Sequence, residues 1–85
     1  MAEEKVGAVT HYFTKLQVAT IRLTDGSLRV GDTIHFHGHT TDLIQKIASM
    51  EVEHQSIEVA NVGNEIGMKV IAHVREHDEV LRVTE

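Results

Sequence analysis

Histidine and carboxylate side chains dominate the chemistry available to this sequence, which holds 7 His, 13 Asp plus Glu and no cysteine. The segment His35-Phe36-His37-Gly38-His39 is the sharpest metal candidate. On an extended strand His35 and His37 project from one face with Cα atoms roughly 6.5–7 Å apart, a span two imidazoles can bridge to one ion such as zinc. A complete site needs a third ligand, for which His39, Asp32 and Asp42 are the neighbours at hand. The simpler reading is two half-exposed histidines on a solvated face. His73 and His77, four apart, would point together only on a helix, and they fall across a strand end and a turn.

The carboxylates divide in two. Asp25, Asp32, Asp42 and Asp78 each adjoin a turn, where a bond from side chain to backbone accounts for them without acid or base catalysis. Glu51, Glu53, Glu58 and Glu65 form an acidic group suited to a basic protein surface or a cationic ligand, and its plainer reading is a solvated face. No Ser-His-Asp order and no paired-carboxylate pocket can be argued from these residues, so no catalytic residue is assigned and no enzyme activity is expected.

The elements that must position these groups read as short strands. Lys5 to Phe13 is the first, with Val9 and Phe13 on one face and Val6, Ala8 and Tyr12 toward the other. Gln17 to Leu23 follows, with Ala19, Ile21 and Leu23 inward. Asp25-Gly26 is a hairpin signal, Leu28 and Val30 mark a short apolar segment, and Val30-Gly31-Asp32 turns the chain again. From Thr33 to His37, Ile34 and Phe36 share the face opposite the two histidines. Gly38 to Asp42 is loop, and Leu43 to Val52 resumes strand character with Met50 and Val52 inward. Between His54 and Asn64 a turn or two of helix fits the spacing of Ile57 and Ala60, while Gly63 and Gly67 prevent a long one. Glu65 to Ala72 is a strand with Ile66, Met68 and Val70 alternating. A polar turn at Arg75 to Asp78 leads to a last run ending at Val83. Gly63 and Gly67 are read as places where backbones approach closely.

Size and composition bound the rest. A chain of 85 residues, 41% hydrophobic and 25% charged, forms one domain over residues 1–85 with an ordinary soluble balance. Tyr12, Phe13 and Phe36 are its only aromatic residues, so the core must be aliphatic. The net charge of −5 repels phosphate backbones, which disfavours DNA and general RNA binding and points to a protein partner. No apolar run approaches the ~20 residues of a membrane span, and Met-Ala-Glu-Glu-Lys is not the start of a signal peptide, so a cytoplasmic location is expected. Short strands with Gly or Asp turns every 8 to 12 residues or so predict an all-β fold, a small closed or nearly closed antiparallel β-barrel of six or seven strands.

The segments Gly26-Ser27-Leu28-Arg29-Val30-Gly31-Asp32-Thr33-Ile34, Ile47-Ala48-Ser49-Met50-Glu51-Val52, Ile57 to Gly67 and Val74-Arg75 with Asp78-Glu79-Val80-Leu81 together resemble the second, β-barrel domain of translational GTPases such as elongation factor Tu. The resemblance implies a barrel of the translation-protein type that has no Gly-x-x-x-x-Gly-Lys-Ser/Thr loop and therefore no GTPase engine of its own. In that family the barrel helps hold the aminoacyl end of tRNA. Laid over this sequence, Glu51 fits the family's acidic position, Glu53 and His54 stand where an aromatic residue and an arginine are usual, and Glu65 stands where an asparagine is usual. The implied function is a non-catalytic binding or adaptor module whose partner surface is Glu51, Glu53, His54 and Glu65, with no cofactor. Two alternatives stay open: a small zinc-binding protein using His35 and His37, and a residual translation role touching tRNA or a ribosomal factor, the tRNA contact being disfavoured by charge.

Overall fold

A computed structural model describes residues 2–84. Ten strands follow one another: β1 (Ala2–Phe13), β2 (Val18–Leu23), β3 (Leu28–Arg29), β4 (Thr33–His37), β5 (Asp42–Lys46), β6 (Met50–Val52), β7 (Gln55–Ile57), β8 (Val59–Ala60), β9 (Glu65–Lys69) and β10 (Glu79–Thr84). There is no helix among the described residues. All ladders are antiparallel, in an eight-stranded sheet of order β5-β4-β10-β1-β2-β9-β6-β7 and a small β3-β8 pair.

The all-β expectation holds, and the closed or nearly closed barrel of six or seven strands does not. The large sheet is open, with β5 and β7 as its edges. Side chains and loops span the gap instead of a ladder. Gln45 of β5 donates from Nε2 to the Lys69 carbonyl (3.1 Å) and accepts at Oε1 from the Ile71 N–H (3.0 Å). The Gly31 N–H donates to the Ile47 carbonyl and the Ile47 N–H to the Asp32 carbonyl, both 2.9 Å, which ties the corner after β3 to the segment after β5. Turn spacing in a sequence marks where strands end but carries no information about which edges meet.

Period-two alternation builds the core. Ala19, Ile21 and Leu23 of β2, Ile34 and Phe36 of β4, and Ile66 and Met68 of β9 are all buried, as their spacing requires. Burying such side chains contributes roughly 1.5–3 kcal/mol each for the larger ones. β1 is the spine: its first half pairs with β10 and its second half with β2, and register shifts between Lys5 and Gly7 and between Val9 and His11 let so long a strand bend. Phe13, expected to share a face with Val9, lies past the second shift and is exposed while Val9 is buried. The run from Leu43 to Val52 is two strands separated at Ile47–Ser49. The helical spacing after His54 is occupied by β7 and β8.

Three corners share one construction. In Arg29–Asp32, Asn61–Asn64 and Arg75–Asp78 the last residue's N–H donates to the first residue's carbonyl (3.0, 3.0 and 3.2 Å). The last residue's side-chain oxygen accepts from the first residue's N–H in return (2.9, 2.9 and 2.8 Å). The third position has positive φ in each: Gly31 at 99°, Gly63 at 97° and His77 at 74°. Asp32 and Asp78 therefore do the turn work read from the sequence.

Candidate functional site

Three connections converge on one groove of about 710 Å³. The first is the link from β1 to β2, closed by a bond from the Gln17 N–H to the Phe13 carbonyl (2.8 Å) with Gln17 at φ 55°. It leaves Phe13 and Leu16 on the groove wall, 42% and 63% exposed. Side by side, the two give the groove one apolar wall.

The second connection is the β6–β7 hairpin. Val52 pairs with Gln55, so Glu53 and His54 form a two-residue loop, with φ of 51° and 66°. Positive φ at both positions is the requirement of a type I′ turn, normally met by Asn-Gly. Here two side-chain-bearing residues carry that strain at the edge of the groove. The third connection is the Asn61–Asn64 corner, fixed to β2 by bonds from the Gly63 N–H to the Leu23 carbonyl (2.8 Å) and from the Leu23 N–H to the Asn64 carbonyl (3.0 Å).

Between these walls β6 and β9 share a single ladder pair, Glu51 with Gly67. Continued in that register, Val52 would meet Ile66 and Glu53 would meet Glu65. Instead the strands part, and all four residues line the groove. The Glu65 carboxylate accepts from Thr10 Oγ1 at 3.0 Å, and Thr10 Oγ1 is itself 2.7 Å from Thr20 Oγ1, so Glu65 is held on the outer face of β9.

Every residue of the expected partner surface, Glu51, Glu53, His54 and Glu65, thus lines one groove. Sequence reasoning missed Phe13, Leu16 and the part played by Gly67. A lone glycine between Ile66 and Met68 was the available signal for the last. It was read as close backbone approach, but a Cβ at Gly67 would meet only Val18 Cγ1, at 3.7 Å. At Gly63 the backbone conformation explains the glycine, and no atom lies close.

The histidine cluster is built differently. His35, whose side chain is 13% exposed, lies between two carboxylates: Nδ1 is 2.9 Å from Glu3 Oε2 and Nε2 is 2.5 Å from Asp42 Oδ1. Burial alone would lower the pKa of the ring, but hydrogen bonds to Asp42 and Glu3 and the charges of both outweigh it and hold the pKa above the usual histidine value. The His37 ring stands edge-on, with centroids 5.6 Å apart. Both His35 nitrogens face carboxylates on opposite sides of the ring, and Asp32 is engaged with the Arg29 N–H. Among the described residues no three His, Cys, Asp or Glu side chains are grouped to hold a metal ion, so the zinc alternative gains no third ligand. His73 stacks on Tyr12 with centroids 4.5 Å apart, while His77 sits in its turn, so that pair does not act together.

No protein-family model matches the chain. It is 35% identical over 82 residues to an uncharacterized protease of Methanocaldococcus jannaschii, covering 95% of this chain and 20% of that protein. It is 37% identical over 78 residues to a collagenase of Porphyromonas gingivalis, covering 91% of this chain and 22% of the collagenase. The chain spans about a fifth of the length of these curated relatives. Among solved structures it is similar to the C-terminal domain of a putative U32 peptidase from Geobacillus thermoleovorans, with a TM-score of 0.88, 20% identity, and coverage of 95% of this chain and 93% of that one. The selenomethionine variant of that domain gives 0.84 at 21% identity, covering 91% and 96%.

These findings overturn the translational-GTPase resemblance, and with it the elongation-factor reading of function. Its segment Gly26 to Ile34 contains the Arg29–Asp32 corner, a turn construction that recurs at two other places in this chain. No helix among the described residues is long and apolar enough to cross a membrane. The fold is the one seen in the C-terminal domain of the Geobacillus U32 peptidase.

Proposed function

We propose that this chain is an accessory domain of the U32 peptidase type, which grips a polypeptide while peptide-bond cleavage is carried out by other parts of such proteins. The observation that carries the reading is the match itself: nearly all of this chain aligns with about a fifth of two proteins named as a protease and a collagenase. The remainder of those proteins is ample room for catalysis. Within this chain no hydrogen bond brings a Ser or Thr hydroxyl to a histidine among the described residues, the arrangement a hydroxyl nucleophile and its base would need. A groove with apolar walls and a few polar groups suits a polypeptide side chain.

The experiment is incubation of the 85-residue chain with reduced, carboxymethylated casein, followed by cross-linking and by mass spectrometry of new termini. Retention of casein without new termini is the expected result. Cleavage that survives repurification would show that the domain cuts by itself, and casein that is neither retained nor cut would remove the gripping role.

A further inference from the structure

Gly67 is the residue that the fold does not explain. It lies inside β9, where glycine costs a strand roughly 0.5–1 kcal/mol relative to alanine. Its φ is not positive, so no L residue is barred by backbone conformation. A Cβ there would meet one atom, Val18 Cγ1, at an ordinary contact distance of 3.7 Å. Neither conformation nor packing therefore requires the bare position. What the missing side chain does is leave the groove floor open between Val18 on β2 and Glu51 on β6. The β2–β9 register runs through Gly67 without a bulge, and a strand glycine with free space above it can let a ligand come down onto the backbone.

The walls say which ligand. Phe13 and Leu16 offer apolar surface on one side. The opposite rim holds Glu51 and Glu53, with Glu65 at the β9 end. The lining includes three carboxylates and no Lys or Arg. In a chain of net charge −5 this repels nucleic acid and acidic peptides and attracts cationic ones.

We propose that the groove over Gly67 seats an apolar side chain of an extended basic peptide, with Lys or Arg residues beside it paired to Glu51 and Glu53. This deepens the polypeptide-gripping reading and rests on it. Apolar contact at the floor supplies affinity, and the acidic rim selects charge and speeds encounter, so binding weakens as salt is raised.

The test is fluorescence anisotropy with three labelled peptides: a central leucine flanked by lysines, the same peptide with glycine for leucine, and the same peptide with glutamates for lysines. The first binds, and the other two bind at least about tenfold more weakly. Gly67→Leu fills the floor and weakens the first peptide about tenfold or more. The surface pair Glu51→Gln with Glu53→Gln, which leaves every buried residue in place, weakens it to a similar degree and reduces its salt dependence. Thermal melts verify that both variants fold, and the glutamine pair decides the matter if Gly67→Leu does not. Equal affinity for the lysine and glutamate peptides, or unchanged binding by the glutamine pair, overturns the proposal. If casein is still retained in that case, the gripping role survives and only its assignment to this groove and charge is lost; if casein is not retained either, both fall.

Discussion

The carboxylate of Asp78 occupies the space that a side chain on Gly38 would need. The contact joins the loop after β4 to the Arg75–Asp78 corner, whose Asp78 is buried and holds the Arg75 N–H at 2.8 Å. The corner is tied in turn to β1, through bonds from the Val9 N–H to the Asp78 carbonyl and from the His77 N–H to the Val9 carbonyl. Gly38→Ala must displace a carboxylate that cannot leave without orphaning a backbone donor. Both Gly38→Ala and Asp78→Ala are expected to lower stability by roughly 1–3 kcal/mol in urea denaturation. The two losses will fall short of additive in the double variant, because each removes the same contact.

His77 carries a positive φ of 74° in a corner whose two counterparts use Gly31 and Gly63. Its backbone bond to Val9 does not depend on the side chain. His77→Gly is expected to stabilise the fold by about 1 kcal/mol, the cost of a left-handed non-glycine residue less the entropy glycine adds to the unfolded chain. A denaturation midpoint at or below that of the parent protein would contradict this.

The β6–β7 loop gives the same argument beside the groove. Glu53→Asn with His54→Gly installs the residues that a type I′ turn favours and should raise stability by about 1–2 kcal/mol, with the Val52–Gln55 pairing retained in NMR spectra. The gain in stability is expected to come with weaker binding of the lysine-leucine peptide, since Glu53 leaves the rim.

His35 supplies a pH dependence whose sign follows from its raised pKa. Burial lowers it, and the Asp42 and Glu3 hydrogen bonds and charges more than restore it. A histidine with a higher pKa in the folded than in the unfolded chain adds stability that is fully present below the unfolded value of about 6.5 and is lost as pH rises through the folded value. The melting temperature should therefore fall as pH is raised from below the unfolded value through the higher folded one. His35→Gln should flatten that slope, and a slope unchanged in the variant would assign it elsewhere.

The inward faces of β2, β4 and β9 are legible in the sequence because each rests on local alternation: Ala19, Ile21 and Leu23, then Ile34 and Phe36, then Ile66 and Met68. Of the acidic group Glu51, Glu53, Glu58 and Glu65 read from the sequence, all but Glu58 line the groove, whereas His54 entered only through the translation-barrel resemblance. What local pattern cannot carry is long-range pairing. Nothing near Gln45 announces that its amide will bridge to Lys69 and Ile71 in place of a closing ladder. The β6–β7 hairpin was hidden for a related reason: Glu53-His54 lacks the usual turn chemistry, so the spacing of Ile57 and Ala60 suggested helix instead. Three of the four segments that carried the resemblance to a translation barrel include one of these corners, and a corner reports how strands are joined, not what the whole protein does.

The single Glu51–Gly67 ladder pair also predicts local opening of the β6–β7 hairpin well below global unfolding. β1, β2 and β10 are each flanked by ladders of five residue pairs or more, whereas the β6–β7 hairpin is held to the sheet by one, with Met50 anchoring its inner end in the core. Amide hydrogens of Val52 to Ile57 should exchange with solvent through a shared local opening far smaller in free energy than global unfolding. The hairpin that opens in this way is a wall of the groove, so a segment settling over Gly67 would slow the exchange of the whole hairpin together.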